Sequence, residues 1–240
     1  MESLSLSNTV LAMHQSQYLP WAPYFRKMAL ADTFVLMDSV QYQKNGVQNR
    51  NQINSSNGPL WLTVPVSGSL KDTIDQKQPV NNKWKKKHIQ SIRSSYGKAP
   101  FFKRYFDDIA QCINDTEGSL HTINFALINY FRSIFLIKNK LVLLSELNVN
   151  SKKNQLVIDT CLQTQCAIYL SGVGAKAYLN DDDFRRKSLT LRFLNNEFDT
   201  YHQIHKEKAS GLSILDWLMQ DDIESIIEYL HKPGEYHYES

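Results

Sequence analysis

The chain has 240 residues, 42% of them hydrophobic, with 27 Lys and Arg against 24 Asp and Glu and a formal net charge of +3. That length and apolar content suit one large α/β domain over residues 1–240 and exclude a disordered chain. So small a charge excess gives no argument for nucleic acid by itself, and three cysteines without a CxxC pair give none for structural zinc.

The elements follow in chain order. Residues 9–13 form a short, continuous apolar run of the kind found in a strand covered on both faces. HQSQYLPW follows at 14–21, then a helical segment at 24–31 with Pro23 in its first turn, then a second apolar strand at 33–37 ending at Asp38. This is the size of a βαβ unit. Asn45-Gly46 signals a hairpin with arms at 40–44 and 47–54, and a further strand is expected at 59–66. The polar stretch 67–82 reads as a long surface loop or mobile lid.

From Asn82 the period becomes helical, with Trp84, His88, Ile92 and Tyr96 on one face and Gly97 as the stop. Helices at 101–113 and 120–137, a strand at 141–144, a helix at 154–163 and a strand at 167–170 follow. A strand at 189–194 and helices at 213–218 and 223–230 close the chain. A mostly parallel, Rossmann-like α/β sheet with an inserted hairpin and a helical C-terminal part is therefore expected.

Parallel sheets bind ligands beyond the carboxyl ends of their strands. His14, Gln15 and Tyr18 fall at one such end and Asp38 at another, where the aspartate could hold a sugar hydroxyl, accept a proton or cap a turn. Arg50, flanked by Asn49 and Asn51, has the chemistry to clamp a phosphate or carboxylate. KWKKKHIQSIR is the one dense basic cluster; it suits nucleotide phosphates, a tRNA acceptor stem, an anionic membrane surface or simple solvation, and His88 on its inward face suits a site or the core equally. Ser171-Gly172-Val173-Gly174 follows a strand and lets backbone approach an anion, without being a Walker loop or a GxGxxG fingerprint. Asp181-Asp182-Asp183 is the negative start of a short helix, and no metal is expected.

MESLSLSN lacks the features of a secretory leader, and the most apolar run, FALINYFRSIFLI, is cut by Arg132 and too short to span a bilayer. A cytoplasmic protein with reduced thiols and no membrane span is expected.

HQSQYLPWAPYF, FVLMDSVQYQKNGVQNRNQI, WLTVPV, WKKKHIQSIRSSYGKAPFF, YLSGVGAKAYL, YHQ and SILDWL, in that order, resemble the WbqC-like family of bacterial polysaccharide (O-antigen) gene clusters. The resemblance covers nearly the whole chain. It implies an enzyme of surface polysaccharide synthesis that acts on aminosugars, joining glycine or another amino acid to the amine of a nucleotide-linked sugar. The donor system is open between amino acid with ATP and aminoacyl-tRNA. The alternative is a non-catalytic sugar-nucleotide-binding or scaffold protein of the same pathway.

His14, Gln15, Tyr18, Asp38, Gln41, Asn49, Arg50, His88, Ser171, Gly172 and Tyr201 match characteristic motif positions of the family. Lys44, Asn51 and Gly174 join them as substrate-binding candidates. In this reading His14 or His88 is the base, Asp38 orients it or a sugar hydroxyl, and the Ser171 loop stabilises an oxyanion. The chain departs from the family at Ser16, where proline is usual, and at Pro23, where glycine is usual. A more distant likeness, in the order of strand, histidine-bearing turn, helix and strand, is to HIGH-type nucleotidyltransferases and pantothenate synthetase.

Overall fold

The computed structural model describes residues 6–195, 201–234 and 236–237. β1 (Ser7–Gln15) leads through α1 (Ala22–Ala29) to β2 (Thr33–Met37). A long excursion then carries two antiparallel pairs, β3 (Arg50–Ile53) with β4 (Leu60–Thr63) and β5 (Val66–Ser67) with β6 (Gln78–Pro79). It continues into α2 (Lys83–Tyr96), α3 (Phe102–Asp115) and α4 (Leu120–Ile134). The chain returns through β7 (Lys140–Leu143), α5 (Lys153–Thr164), β8 (Cys166–Gly172), α6 (Asp181–Arg185) and β9 (Thr190–Leu194). α7 (Ile214–Gln220), α8 (Ile223–His231) and β10 (Tyr236–His237) close it.

The main sheet runs β10-β9-β8-β1-β2-β7, with β10 antiparallel on its edge and the other five strands parallel. Ranked by chain order, those five stand 3-2-1-4-5, the doubly wound order in which the topology reverses between the first strand and the fourth. The expected mostly parallel α/β sheet is thus present, and its switch point lies between β1 and β8.

Alternation along β1 explains the two layers. Ala12 joins Phe34, Leu36 and Leu170 in a core shared with α1–α4, α7 and α8, whereas Leu11 and Met13 join Val35 and Tyr169 in a second core under α5 and α6. Continuous apolar runs such as VLAM and FVLM are what a sheet covered on both sides requires. On α2, Trp84, His88, Ile92 and Tyr96 all turn inward, as their spacing predicts.

The expected hairpin about Asn45-Gly46 does not form. Asn45 takes a left-handed turn (φ 66°), but the segment before it pairs elsewhere: Tyr42 N donates to Asp72 O (2.9 Å) and Ile74 N to Val40 O (3.0 Å). β3 is left to pair with β4 instead, through the turn at Ser55–Gly58. The stretch 67–82 is anchored at its middle, with Ile74 fully buried, Lys77 close to Asp72 (3.5 Å) and Lys77 O accepting from Leu120 N (2.8 Å).

Candidate functional site

A cleft of about 1260 Å³ opens beyond the carboxyl ends of β1, β2 and β8, at the switch point of the sheet. His14 and Gln15 from β1 meet Ser171, Gly172 and Gly174 from the end of β8, and Gln41 enters from the segment after β2. The start of α1, Lys71 and Thr73, and the approach to α5 complete the lining.

His14 lies on the α1 face of β1 and stacks on Tyr24, with ring centroids 4.8 Å apart and 25° between planes. Among the described residues the ring makes one hydrogen bond, a long one (3.4 Å) between Nε2 and the Gln17 amide; Nδ1 is shielded from water and has no partner there. Whichever way the Gln17 amide stands, Nδ1 stays unpaired. Burial first, and then the charge of Lys27, holds the imidazole well below its usual pKa, so it is neutral at pH 7.

Gln15 is fixed by a relay. Its Oε1 accepts from Gln48 Nε2 (2.8 Å), Gln48 Oε1 accepts from Gln43 N (2.7 Å), and Gln48 O accepts from Tyr18 N (3.1 Å) and Asn124 Nδ2 (2.9 Å). Gln48 is a positioning residue for the first loop. Its place inside the amide-rich run QNRN is the sequence signal for it.

Lys27 is the main residue that the motif reading missed. It projects from α1 into the cleft, is only 8% exposed, and donates through Nζ to Met13 O (2.8 Å). No carboxylate among the described residues pairs with it, and burial lowers its pKa to about 8. The signal was a lysine three residues after Tyr24, on the helix face that turns inward. Lys71, Lys152 and Lys153 also line the cleft, and no Asp or Glu among the described residues does.

Several expected site residues stand elsewhere. His88 is 2% exposed, lies outside the cleft, and its Nδ1 meets Tyr18 Oη (2.9 Å). Burial pushes its pKa down to about 4. Tyr18 shares that packing, edge-on to Trp84, and is a core residue rather than a ligand contact. Asp38 does not reach His14: its carboxylate accepts from Ser145 N (3.0 Å) and Ser145 Oγ (2.5 Å), tying the end of β2 to the turn after β7.

Asn49 donates to Val64 O (2.8 Å) and Asn51 to Leu19 O (2.6 Å), so both serve the backbone of the strap and loop. Arg50 donates to Asn45 O (2.5 Å) and lies over Trp61 (4.4 Å), outside the cleft, as does the exposed Lys44. These corrections share one cause: long amide and guanidinium side chains beside an irregular strap satisfy its unpaired backbone groups.

Tyr201 lines a second hollow of about 510 Å³ that shares Trp21 and Pro23 with the cleft. Its hydroxyl donates to Asp216 Oδ2 (2.6 Å), while Tyr96 Oη donates to Oδ1 and Gln220 Nε2 to Oδ2 (2.8 Å). Burial raises the pKa of Asp216, and the Tyr201 and Tyr96 hydroxyls oppose the rise.

Ser16 and Pro23, where the resemblance leads to proline and glycine being expected, fit their surroundings. Ser16 N donates to Met37 O (3.2 Å), which proline could not do, and Ser16 Oγ meets His121 Nδ1 (3.2 Å). Pro23 occupies the first turn of α1, where no intrahelical donor is missed.

The fold is that of a doubly wound α/β protein with a lysine-lined cleft at its switch point. The chain belongs to the WbqC-like protein family, whose sequence profile matches residues 15–228. Membership suggests a role in polysaccharide biosynthesis. The chain is 28% identical over 219 residues to the uncharacterized protein Rv1507c of Mycobacterium tuberculosis (strain ATCC 25618 / H37Rv), covering 90% of this chain and 95% of that one. No solved structure matches it. No helix among the described residues is long and apolar enough to cross a membrane.

Proposed function

We propose that the protein is a transferase or ligase of surface polysaccharide biosynthesis that joins an amino acid, glycine or a close analogue, to the amine of a nucleotide-linked aminosugar. The observation that supports it best is the neutral, under-bonded imidazole of His14 in a cleft with four lysines and no carboxylate among the described residues. A neutral imidazole is a base, and a surplus of cations favours an anionic substrate.

The chemistry is acyl transfer. The acceptor enters as the free amine, its ammonium proton left in solvent, and its nitrogen attacks the carbonyl carbon of an activated aminoacyl group. The acyl–oxygen bond then breaks, the phosphate or ribose oxygen leaves with its electron pair, and His14 takes the proton that the attacking nitrogen sheds as the amide forms.

A phosphate-activated donor fits better than aminoacyl-tRNA. No residue of α2 lines the cleft, and Lys85, in the middle of the basic cluster, is 5% exposed and donates to Asn114 O (2.9 Å), Thr116 O (2.9 Å) and Glu117 Oε1 (2.6 Å). The test is mass spectrometry of a nucleotide-linked aminosugar incubated with protein, amino acid and ATP. A gain of one aminoacyl mass on the sugar is expected; unchanged sugar with ATP and with charged tRNA overturns the proposal.

A further inference from the structure

Lys27 carries the argument. Burying an ammonium without a counter-charge is unfavourable, and a single contact to a backbone carbonyl leaves two of its three donors unused. A chain keeps such a group beside a cleft when the missing charge arrives with a ligand.

The wall formed by α5 points the same way. This 12-residue helix starts without a side-chain cap and without an acidic residue in its first turn; Lys152 is its cap residue and Lys153 its first residue. Two cations at the positive end of a helix dipole repel it and each other unless an anion sits between them. Ser151 Oγ, one position earlier, is shielded from water and lacks a partner among the described residues. Across the cleft, a Cβ built on Gly172 or Gly174 would meet nothing within 4 Å, so packing does not require glycine at either position. Open backbone at that point leaves room for a ligand oxygen against the N–H groups.

We propose that the cleft seats a diphosphate, anchored on Lys27 and held by Lys152, Lys153 and the first turn of α5 opposite the Gly172–Gly174 backbone. Lys71 also lines the cleft. Four ammonium groups match the several charges of a diphosphate better than the single charge of a carboxylate. The assignment deepens the reading of the cleft as a nucleotide-sugar site and rests on it.

Calorimetric titration of the whole protein at low salt, with inorganic pyrophosphate, inorganic phosphate and acetate, tests the seat without any turnover. Pyrophosphate is expected to bind tightest and to weaken as salt rises. Lys27→Met should weaken it by roughly tenfold or more, and the exposed pair Lys152→Ala/Lys153→Ala by roughly three- to tenfold. Absence of pyrophosphate binding, binding unchanged in both variants, or acetate binding as tightly as pyrophosphate would each overturn the seat. Pyrophosphate binding without any amide product would reject the proposed chemistry and leave the seat standing; product without pyrophosphate binding would do the reverse.

Discussion

The ring of His14 stacks on Tyr24 at a centroid distance of 4.8 Å, which fixes the imidazole at the end of β1 through an aromatic face rather than through a carboxylate. Tyr24 is 1% exposed and its hydroxyl has no partner among the described residues, so the ring and not the oxygen does the positioning. Tyr24→Phe is expected to keep activity and leave stability within about 1 kcal/mol, since it removes only an unpaired polar atom. Tyr24→Ala should release the imidazole and remove a core ring, at about 3–5 kcal/mol. Parallel measurement of kcat and Tm checks both.

Lys27 sets up a trade between stability and binding. Its pKa falls from 10.5 to about 8 on folding, so the unfolded chain binds more protons between those values and the empty protein gains stability as pH rises from about 8 towards 10.5. At pH 7 the buried charge opposes folding by about 3 kcal/mol. Lys27→Met should therefore stabilise the ligand-free protein by about 2 kcal/mol after loss of the Met13 contact, or roughly 4–8 °C in Tm. A purely structural lysine would show the opposite sign in a melting curve.

His88 and Tyr18 behave as a core pair. The His88 pKa falls from 6.5 to about 4 on folding, so its contribution is complete above pH 6.5 and is lost as pH drops from there through 4, by roughly 3 kcal/mol in all. Tyr18→Phe leaves His88 Nδ1 unpaired and should cost about 1–3 kcal/mol. Urea titration at pH 7 and pH 5 reads the loss, and specific activity of the folded fraction should not change.

Charge reversal on α2 addresses the donor. Lys83, Lys86 and Lys87 are exposed, unlike Lys85. Lys83→Glu/Lys86→Glu/Lys87→Glu should leave turnover and its salt dependence unchanged if the donor is activated on phosphate. A tRNA donor would lose affinity steeply with added salt, and less steeply once these lysines are gone.

How much was legible follows from the length scale of each signal. β1, α1 and β2 could be read because apolar runs and helical spacing are local, and the Trp84–Tyr96 face emerged from a repeat of four. The ends of β1 and β8 stood out by their polar residues, and His14, Gln15, Ser171, Gly172, Gly174 and Gln41 line one cleft. The strap could not be resolved: Asn49, Arg50 and Asn51 look like ligand contacts in one dimension, yet each serves a backbone carbonyl brought in by the fold. Lys27 and the approach to α5 escaped for the converse reason. A lysine in an amphipathic helix carries no motif, and only the sheet's topology brings it to His14. Residues 196–200, beside Tyr201, lie outside the described residues.

The central claim is that His14 in this cleft takes the proton of an acceptor amine. The most direct measurement is product mass from a nucleotide-linked aminosugar, amino acid and ATP, compared between wild type, His14→Ala and His88→Ala at equal folded concentration. The account expects one added aminoacyl group with wild type and His88→Ala, and a loss of about 10²-fold or more in rate with His14→Ala. Equal rates in wild type and His14→Ala would contradict it.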